Sequence, residues 1–203
     1  IWLCCLLPWP SMHFSLALRK ISLRFFAGVL AAIFVGLIIT PNSSAQAATK
    51  QKSSCAPRVQ GEAEVGRLAP TFTAKGLRFG CIESSQYLGK PAVINFWASW
   101  CFPCRKEFSL LKTAQKKYRK YGLSIVGISY KDIPSDARSF VKGKQADWSF
   151  ASDSGGEIAM SYRVRAIPVT FFIDERGKLV SQVFGILSQR ELNKEINKLI
   201  KSS

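Results

Sequence analysis

The chain has 203 residues, with 29 Lys or Arg against 13 Asp or Glu, a formal net charge of +16, and one histidine, His13. A lone histidine near one end excludes His-based acid–base catalysis from the rest of the chain and leaves no set of histidines to hold a metal. The basic residues are dispersed along expected helix faces (Lys112, Lys116, Lys117, Arg119, Lys120) and are not gathered with stacking aromatics. That excludes nucleic acid as the natural partner and points to a solvated basic surface facing an anionic lipid leaflet.

Residues 1–11 place cysteines, tryptophans and prolines ahead of the first methionine, Met12, and are read as a spurious extension. Residues 12–47 have the layout of a targeting segment. Arg19, Lys20 and Arg24 form a basic start, Phe25 to Ile39 is an apolar run, and Ala45-Gln46-Ala47 is a small-residue cleavage pattern. The run is short of the ~20 residues of a spanning helix, so a cleaved signal peptide and a retained signal anchor both stay open. Either places the folded part outside the cytoplasmic membrane.

Residues 48–67 are polar and mixed, and read as a linker or loosely attached arm; residues 68–203 read as one domain with a single core. Short strands are predicted at 71–73 and 77–79, around Lys75-Gly76, then one helical turn at 84–88. Ala92 to Trp97 is apolar throughout, as a strand buried on both faces should be. A helix is predicted from about 102 to 121, stopped by Gly122, then a strand over 123–129 and a helix over 135–142 stopped by Gly143. A short helix follows over 157–162, and strands over 169–173 and 179–184 are joined by the turn Asp174-Glu175-Arg176-Gly177. Ser188 with Glu191 three residues later is a capping box for a last helix over 189–200. Strands alternating with helices, then a hairpin and a final helix, describe an α/β sandwich with a mixed central sheet between helical layers.

The chemistry concentrates in Trp100-Cys101-Phe102-Pro103-Cys104, which sits between the buried strand and the long helix. The unpaired N–H groups and positive end of that helix stabilise an anion, so Cys101 ionises more readily than a free thiol. Cys104, one turn further in, is placed to attack a mixed disulfide formed at Cys101. A zinc site would need two more ligands, and the other cysteines (Cys4, Cys5, Cys55, Cys81) do not repeat the spacing. No metal is expected. No cofactor is implied either, the cysteine pair being itself the redox centre. Cys55 and Cys81 lie outside the motif; they are open to a structural disulfide with each other, to a second redox pair, or to two free thiols.

The segment Asn95-Phe96-Trp97-Ala98-Ser99-Trp100-Cys101-Phe102-Pro103-Cys104-Arg105-Lys106-Glu107 resembles the thioredoxin-like proteins of the TlpA/ResA/CcmG group. Ala69-Pro70-Thr71-Phe72, Leu88-Gly89-Lys90 and the stretch Ile167-Pro168-Val169-Thr170-Phe171-Phe172-Ile173-Asp174 fit the same pattern. The resemblance implies a thioredoxin-like three-layer sandwich and an exported thiol–disulfide oxidoreductase. In that reading Cys101 is the nucleophile, Cys104 the resolving thiol and Pro168 the family's cis-proline. Glu107 matches an acid that shapes thiol ionisation, its other reading being a first-turn residue that complements the helix dipole. Trp100, Phe102, Pro103 and Ile167 stand where substrate would lie. Asn95 replaces the buried Asp of ordinary thioredoxins and cannot relay a proton. Arg165, before the proline loop, departs from the small residue usual there. Met160 and Tyr162 read as helix packing.

The implied partners are protein thiol or disulfide substrates, apocytochrome c among them, and a membrane electron donor of the CcdA/DsbD type, with the chain acting as a monomer. A reductase is expected because Phe102-Pro103 puts no charge between the cysteines, whereas strong oxidants such as DsbA carry Pro-His there. Arg105 and Lys106 pull the other way, so an oxidase that introduces disulfides stays open. A metal-binding carrier on the same fold would need a histidine that the domain lacks.

Overall fold

The structure is a computed structural model and describes residues 55–201; the expected signal segment and the extension before it lie outside the described residues. Two sheets form. Strands β1 (Arg58–Gln60), β2 (Thr71–Lys75) and β3 (Cys81–Glu83) make a small antiparallel sheet. The main sheet has the order β6-β5-β4-β7-β8, built from β4 (Ala92–Trp97), β5 (Ser124–Tyr130), β6 (Ser149–Asp153), β7 (Val169–Ile173) and β8 (Leu179–Phe184). In it β4, β5 and β6 run parallel, while β7 and β8 run antiparallel to their neighbours.

Among the described residues, four α-helices complete the fold: α1 (Phe102–Tyr118), α2 (Pro134–Gly143), α3 (Glu157–Ser161) and α4 (Gln189–Lys201). Side chains alternate across the strands, so each face of the main sheet has its own core. Val93, Trp97, Ile125 and Phe172 pack with Phe108 and Leu111 of α1 and Leu192 and Ile196 of α4. Ile94, Phe96, Val126 and Phe171 pack on the other face with Ile158 and Tyr162, beneath Phe72 and Ala74 of the small sheet. The three-layer sandwich expected from the sequence is the fold observed. Every residue of β4 is buried, as its apolar run requires.

Local signals settle most boundaries. A single 3-10 turn, Arg119–Tyr121, extends α1 to Gly122, which takes φ +76 and ends it. Ser188 and Glu191 bond each other's backbone N–H at 2.9 and 3.2 Å, completing the capping box of α4. Asp174 Oδ1 accepts the N–H groups of Arg176 and Lys178 in the β7–β8 turn.

Three expectations need correction. The strand expected at 77–79 is a turn, with Gly76 N–H bonded to Gly80 O at 2.9 Å and Phe79 86% exposed at its tip; pairing with β2 resumes only at Cys81. The arm over 48–67 is not loose where it is described: β1 pairs with β2, Ala63 N–H bonds Ser161 O, and Gly66 N–H bonds Leu179 O. Met160, read as helix packing, is 76% exposed, whereas Tyr162 is buried with its hydroxyl donating to Pro70 O at 2.9 Å. A strand absent from the sequence reading, β6, lies beside β5; Ser149-Phe150-Ala151-Ser152-Asp153 has no β-branched residue to announce it.

Candidate active site

Cys101 is the N-cap of α1. Its backbone is extended there, and its sulfur accepts the N–H of Cys104 at 3.3 Å, meeting one of the donors a helix start leaves free. Pro103, in the first turn, suits a position whose N–H has no helical acceptor. Cys101 and Cys104 are joined as a disulfide with Cα atoms 5.3 Å apart, and are 4% and 1% exposed. Trp100 and Phe102 flank them, exposed at 61% and 66%.

Two loops hold the pair in place. Ile167 and Pro168 precede β7; their peptide bond is cis, Pro168 is buried, and the Ile167 carbonyl oxygen lies 4.0 Å from Cys101 Sγ. Pro168 O accepts Gly185 N–H at 2.9 Å, fixing the loop to the end of β8. On the other side, Asp132 accepts the backbone N–H of Ser99 at 2.5 Å, the Ser99 hydroxyl at 2.9 Å and the N–H of Ile133 at 2.9 Å. The Trp100 indole N–H donates to Lys131 O at 3.3 Å. Asp132 was not singled out in the sequence; the local signal for it is Asp-Ile-Pro just after β5, where a short carboxylate can bind neighbouring N–H groups.

Beneath the pair lies a carboxyl group. Glu107 falls three residues after Cys104 on the same face of α1 and is 1% exposed. Its Oε1 accepts Leu187 N–H at 2.6 Å, and its Oε2 accepts Asn95 Nδ2 at 3.3 Å. The Asn95 amide donates also to Thr170 Oγ1 at 2.9 Å, so β4, β7, α1 and the β8–α4 loop meet in one buried polar knot. Burial pushes the Glu107 carboxyl up to about 7; the hydrogen bonds from Leu187 and Asn95 oppose that rise without cancelling it. Near neutral pH the group can therefore take up or release a proton. Thr170 and Leu187 carry no motif of their own and could not be assigned to this site from the sequence.

The structure thus gathers Cys101, Cys104, Glu107, Ile167, Pro168, Trp100, Phe102 and Pro103 at one end of the main sheet. Cys55 and Cys81 lie elsewhere, bonded to each other at the edge of the small sheet. Arg165 is exposed in the loop before Ile167. Among the described residues, no three His, Cys, Asp or Glu side chains gather as a metal ion would require.

A buried cysteine pair at a helix start, faced by a cis-proline loop, is the arrangement of a dithiol redox centre. Residues 65–182 match the AhpC/TSA family. The chain belongs to that family. Within it, the chain is a thiol–disulfide oxidoreductase of the thioredoxin fold, similar to the ResA and DsbE proteins. It is 32% identical over 136 residues to the thiol-disulfide oxidoreductase ResA of Bacillus thuringiensis, a match that covers 67% of this chain and 79% of that protein. It is 32% identical over 146 residues to the thiol:disulfide interchange protein HelX of Rhodobacter capsulatus, covering 71% and 74%. Among solved structures, a thiol:disulfide interchange protein DsbE from Chlorobium tepidum superposes with a TM-score of 0.65 at 30% identity, covering 68% of this chain and 99% of that one. A secreted disulfide oxidoreductase of Mycobacterium tuberculosis gives 0.58 at 27% identity, covering 63% and 96%. No helix among the described residues of this AhpC/TSA-family chain is long and apolar enough to cross a membrane.

Proposed function

We propose that this chain is a reductase of protein disulfides that works outside the cytoplasmic membrane and receives its electrons from a membrane dithiol donor of the CcdA/DsbD type. Apocytochrome c is the substrate implied by the resemblance of the cysteine motif to the TlpA/ResA/CcmG group. The cleavage pattern at Ala45–Ala47 supports export, as does the secreted relative from Mycobacterium tuberculosis.

The cycle starts from the dithiol. The Cys101 thiolate attacks one sulfur of a substrate disulfide, forming a mixed disulfide and expelling a substrate thiolate that takes up a proton. Cys104 then gives its proton to Glu107 and attacks Cys101 Sγ. The second substrate thiolate leaves, two electrons have passed to the substrate, and the Cys101–Cys104 disulfide remains for the donor to reduce. Trp100, Phe102 and Pro103 form the apolar contact around the sulfurs. Pro168 keeps the Ile167 backbone beside Cys101, where an extended substrate segment can lie.

One observation carries the direction of transfer: the buried Glu107 carboxyl under the pair. A disulfide is a strong oxidant when its reduced, thiolate form is stabilised. A buried acid one turn below Cys104 does the reverse whenever it is ionised. Arg105 and Lys106, which would favour the thiolate, are exposed and turned to the rings of Phe140 and Phe102 at 5.4 and 4.7 Å. The test is the reduction potential of the Cys101–Cys104 couple in glutathione or dithiothreitol buffers. A value near the ~−270 mV of thioredoxin supports the reductase. One near the ~−120 mV of DsbA replaces it with the oxidase.

A further inference from the structure

The exposed face of α1 carries cations and no acid. Arg105, Lys112 and Lys116 fall along one line of the helix by their spacing, with Lys106 and Lys117 beside them, and all five are exposed. The helix's acidic residue, Glu107, points the other way into the core. Among the described residues, the ion pair made by α1 and the turn after it is Arg119 with Asp147, at 3.5 Å.

At the cysteine end this face forms a groove against the loop between α2 and β6. Arg105, Lys106, Ser109, Lys112 and Lys144 line it, with Trp148 among them. Two contacts bring the cations together, and a buried donor lies beside them. The Arg105 guanidinium and the Lys144 ammonium both lie over the Phe140 ring, at 5.4 and 5.6 Å. Lys112 Nζ reaches Lys144 O at 3.4 Å. Trp148 is 6% exposed, and its buried indole N–H has no acceptor among the described residues. Cations lining one groove with no acid among them make a positive potential that a bound anion would offset. The groove also begins one residue after Cys104, where Lys106 Nζ lies 4.7 Å from the centre of the exposed Phe102 ring.

We infer that this groove binds an acidic stretch of the substrate polypeptide, so that the preferred substrates carry Asp or Glu close to their reactive cysteines. The inference rests on the disulfide-exchange reading above and adds the substrate class to it. A polypeptide fits better than a lipid surface. The groove is concave and follows α1 from Arg105 to Lys112, about 11 Å at 1.5 Å per residue, and a shallower depression past Lys112 carries on to Lys116 and Lys117. An extended chain can follow it with carboxylates against successive cations, whereas a flat leaflet would rest on the helix crest and leave Lys144 and Trp148 beneath it. Complementary charge would raise the encounter rate and orient the segment before sulfur meets sulfur.

The test separates binding from redox chemistry. A cysteine-free oligo-glutamate peptide with a fluorescent label is titrated into the oxidised protein and followed by anisotropy, beside an oligo-serine peptide of equal length. The expected result is binding of the acidic peptide at least about fivefold tighter in low salt, with the preference collapsing as the screening length falls from ~10 Å at 0.1 M to ~3 Å at 1 M. Lys112→Glu with Lys144→Glu should remove the preference, while Lys90→Glu with Lys178→Glu, outside the groove, should leave it. In a second assay the reduced protein acts on disulfide-linked peptides with acidic or neutral flanks, and the acidic-to-neutral ratio of kcat/KM is the readout. It should exceed about five and fall to about one in the Lys112/Lys144 variant. Equal affinities, or a preference that survives the groove variant, overturns the inference. So does retention on phosphatidylglycerol vesicles that excess acidic peptide cannot displace, which would give the face to a membrane. If the acidic peptide binds at the groove and neither disulfide peptide is reduced, the redox reading fails and the groove stands.

Discussion

Replacing Glu107 by Gln tests the buried carboxyl without changing its shape. The carboxyl moves from an ordinary value of 4.5 to about 7 in the fold, chiefly because burial disfavours its charge. Between these values the native state holds a proton that the unfolded chain has released. The contribution is therefore fully present below about 4.5 and is lost as pH rises through about 7, falling by about 1.4 kcal/mol per pH unit inside that window. The interval corresponds to about 3 kcal/mol in all. Little else confuses the measurement. The chain's one histidine is His13, outside the described residues, and in the oxidised protein Cys55, Cys81, Cys101 and Cys104 are bonded. Asp153, also raised by burial, is common to both proteins and cancels in the comparison. Urea unfolding of the oxidised wild type and of Glu107→Gln at half-unit steps from pH 4.5 to 8 gives the difference directly. The wild type should lose about 3 kcal/mol relative to the variant across that range, because Gln keeps an oxygen for Leu187 N–H and never ionises. Parallel profiles, or a wild type that gains on the variant as pH rises, would refute the reasoning and with it the proton-exchange role of Glu107.

Cys104→Ser should accumulate substrate as a mixed disulfide on Cys101, seen as adducts on non-reducing gels, whereas Cys101→Ser should trap little; equal trapping by the two would reverse or erase the assigned roles. Peptide mapping without reductant should find Cys55 joined to Cys81, and Cys55→Ala with Cys81→Ala should cost about 3.5 kcal/mol in denaturant unfolding, from the loop closed by a separation of 26 residues. Gly127→Ala should cost about 1–3 kcal/mol, because a Cβ there would meet the Phe150 ring at 2.6 Å and Trp97 Nε1 at 2.9 Å inside the packed core; a loss under ~0.5 kcal/mol would mean the core relaxes more freely than this.

Much of the frame was legible because β4, α1, β7 and α4 each announce themselves by one strong local signal: an unbroken apolar run, a Pro and Gly at opposite ends, a β-branched pair of strands around an Asx turn, a capping box. The cysteine motif located one side of the site for the same reason. What the sequence could not supply were the partners brought in from afar. Leu187 meets Glu107 through a backbone N–H, which any residue provides, and Thr170 reaches Asn95 only because β7 lies antiparallel to β4 in one register. Strand β6 escaped because its serines and alanine belong to no strand pattern and its place is set by pairing with β5. The turn at 77–79 escaped because Leu77 and Phe79 mimic alternation, although one is buried and the other bare.

The contacts of residues 66–77 with the main sheet bear on where this protein can safely be cut. A twisted five-stranded sheet has two outer strands, and each offers unpaired N–H and C=O groups to any other extended chain. Here one segment meets both. Gly66 and Arg67 exchange backbone bonds with Leu179 at the start of β8, and Leu68 bridges Lys178. A few residues later Gly76 bridges Ala151 and Leu77 N–H bonds Phe150 O, on β6. A shortened protein beginning at Leu68 would keep every catalytic group and the Leu68–Lys178 bridge, and lose the two backbone bonds to Leu179 that cover the start of β8. Its characteristic failure would be self-association through that strand, with the redox chemistry intact in whatever stayed dispersed.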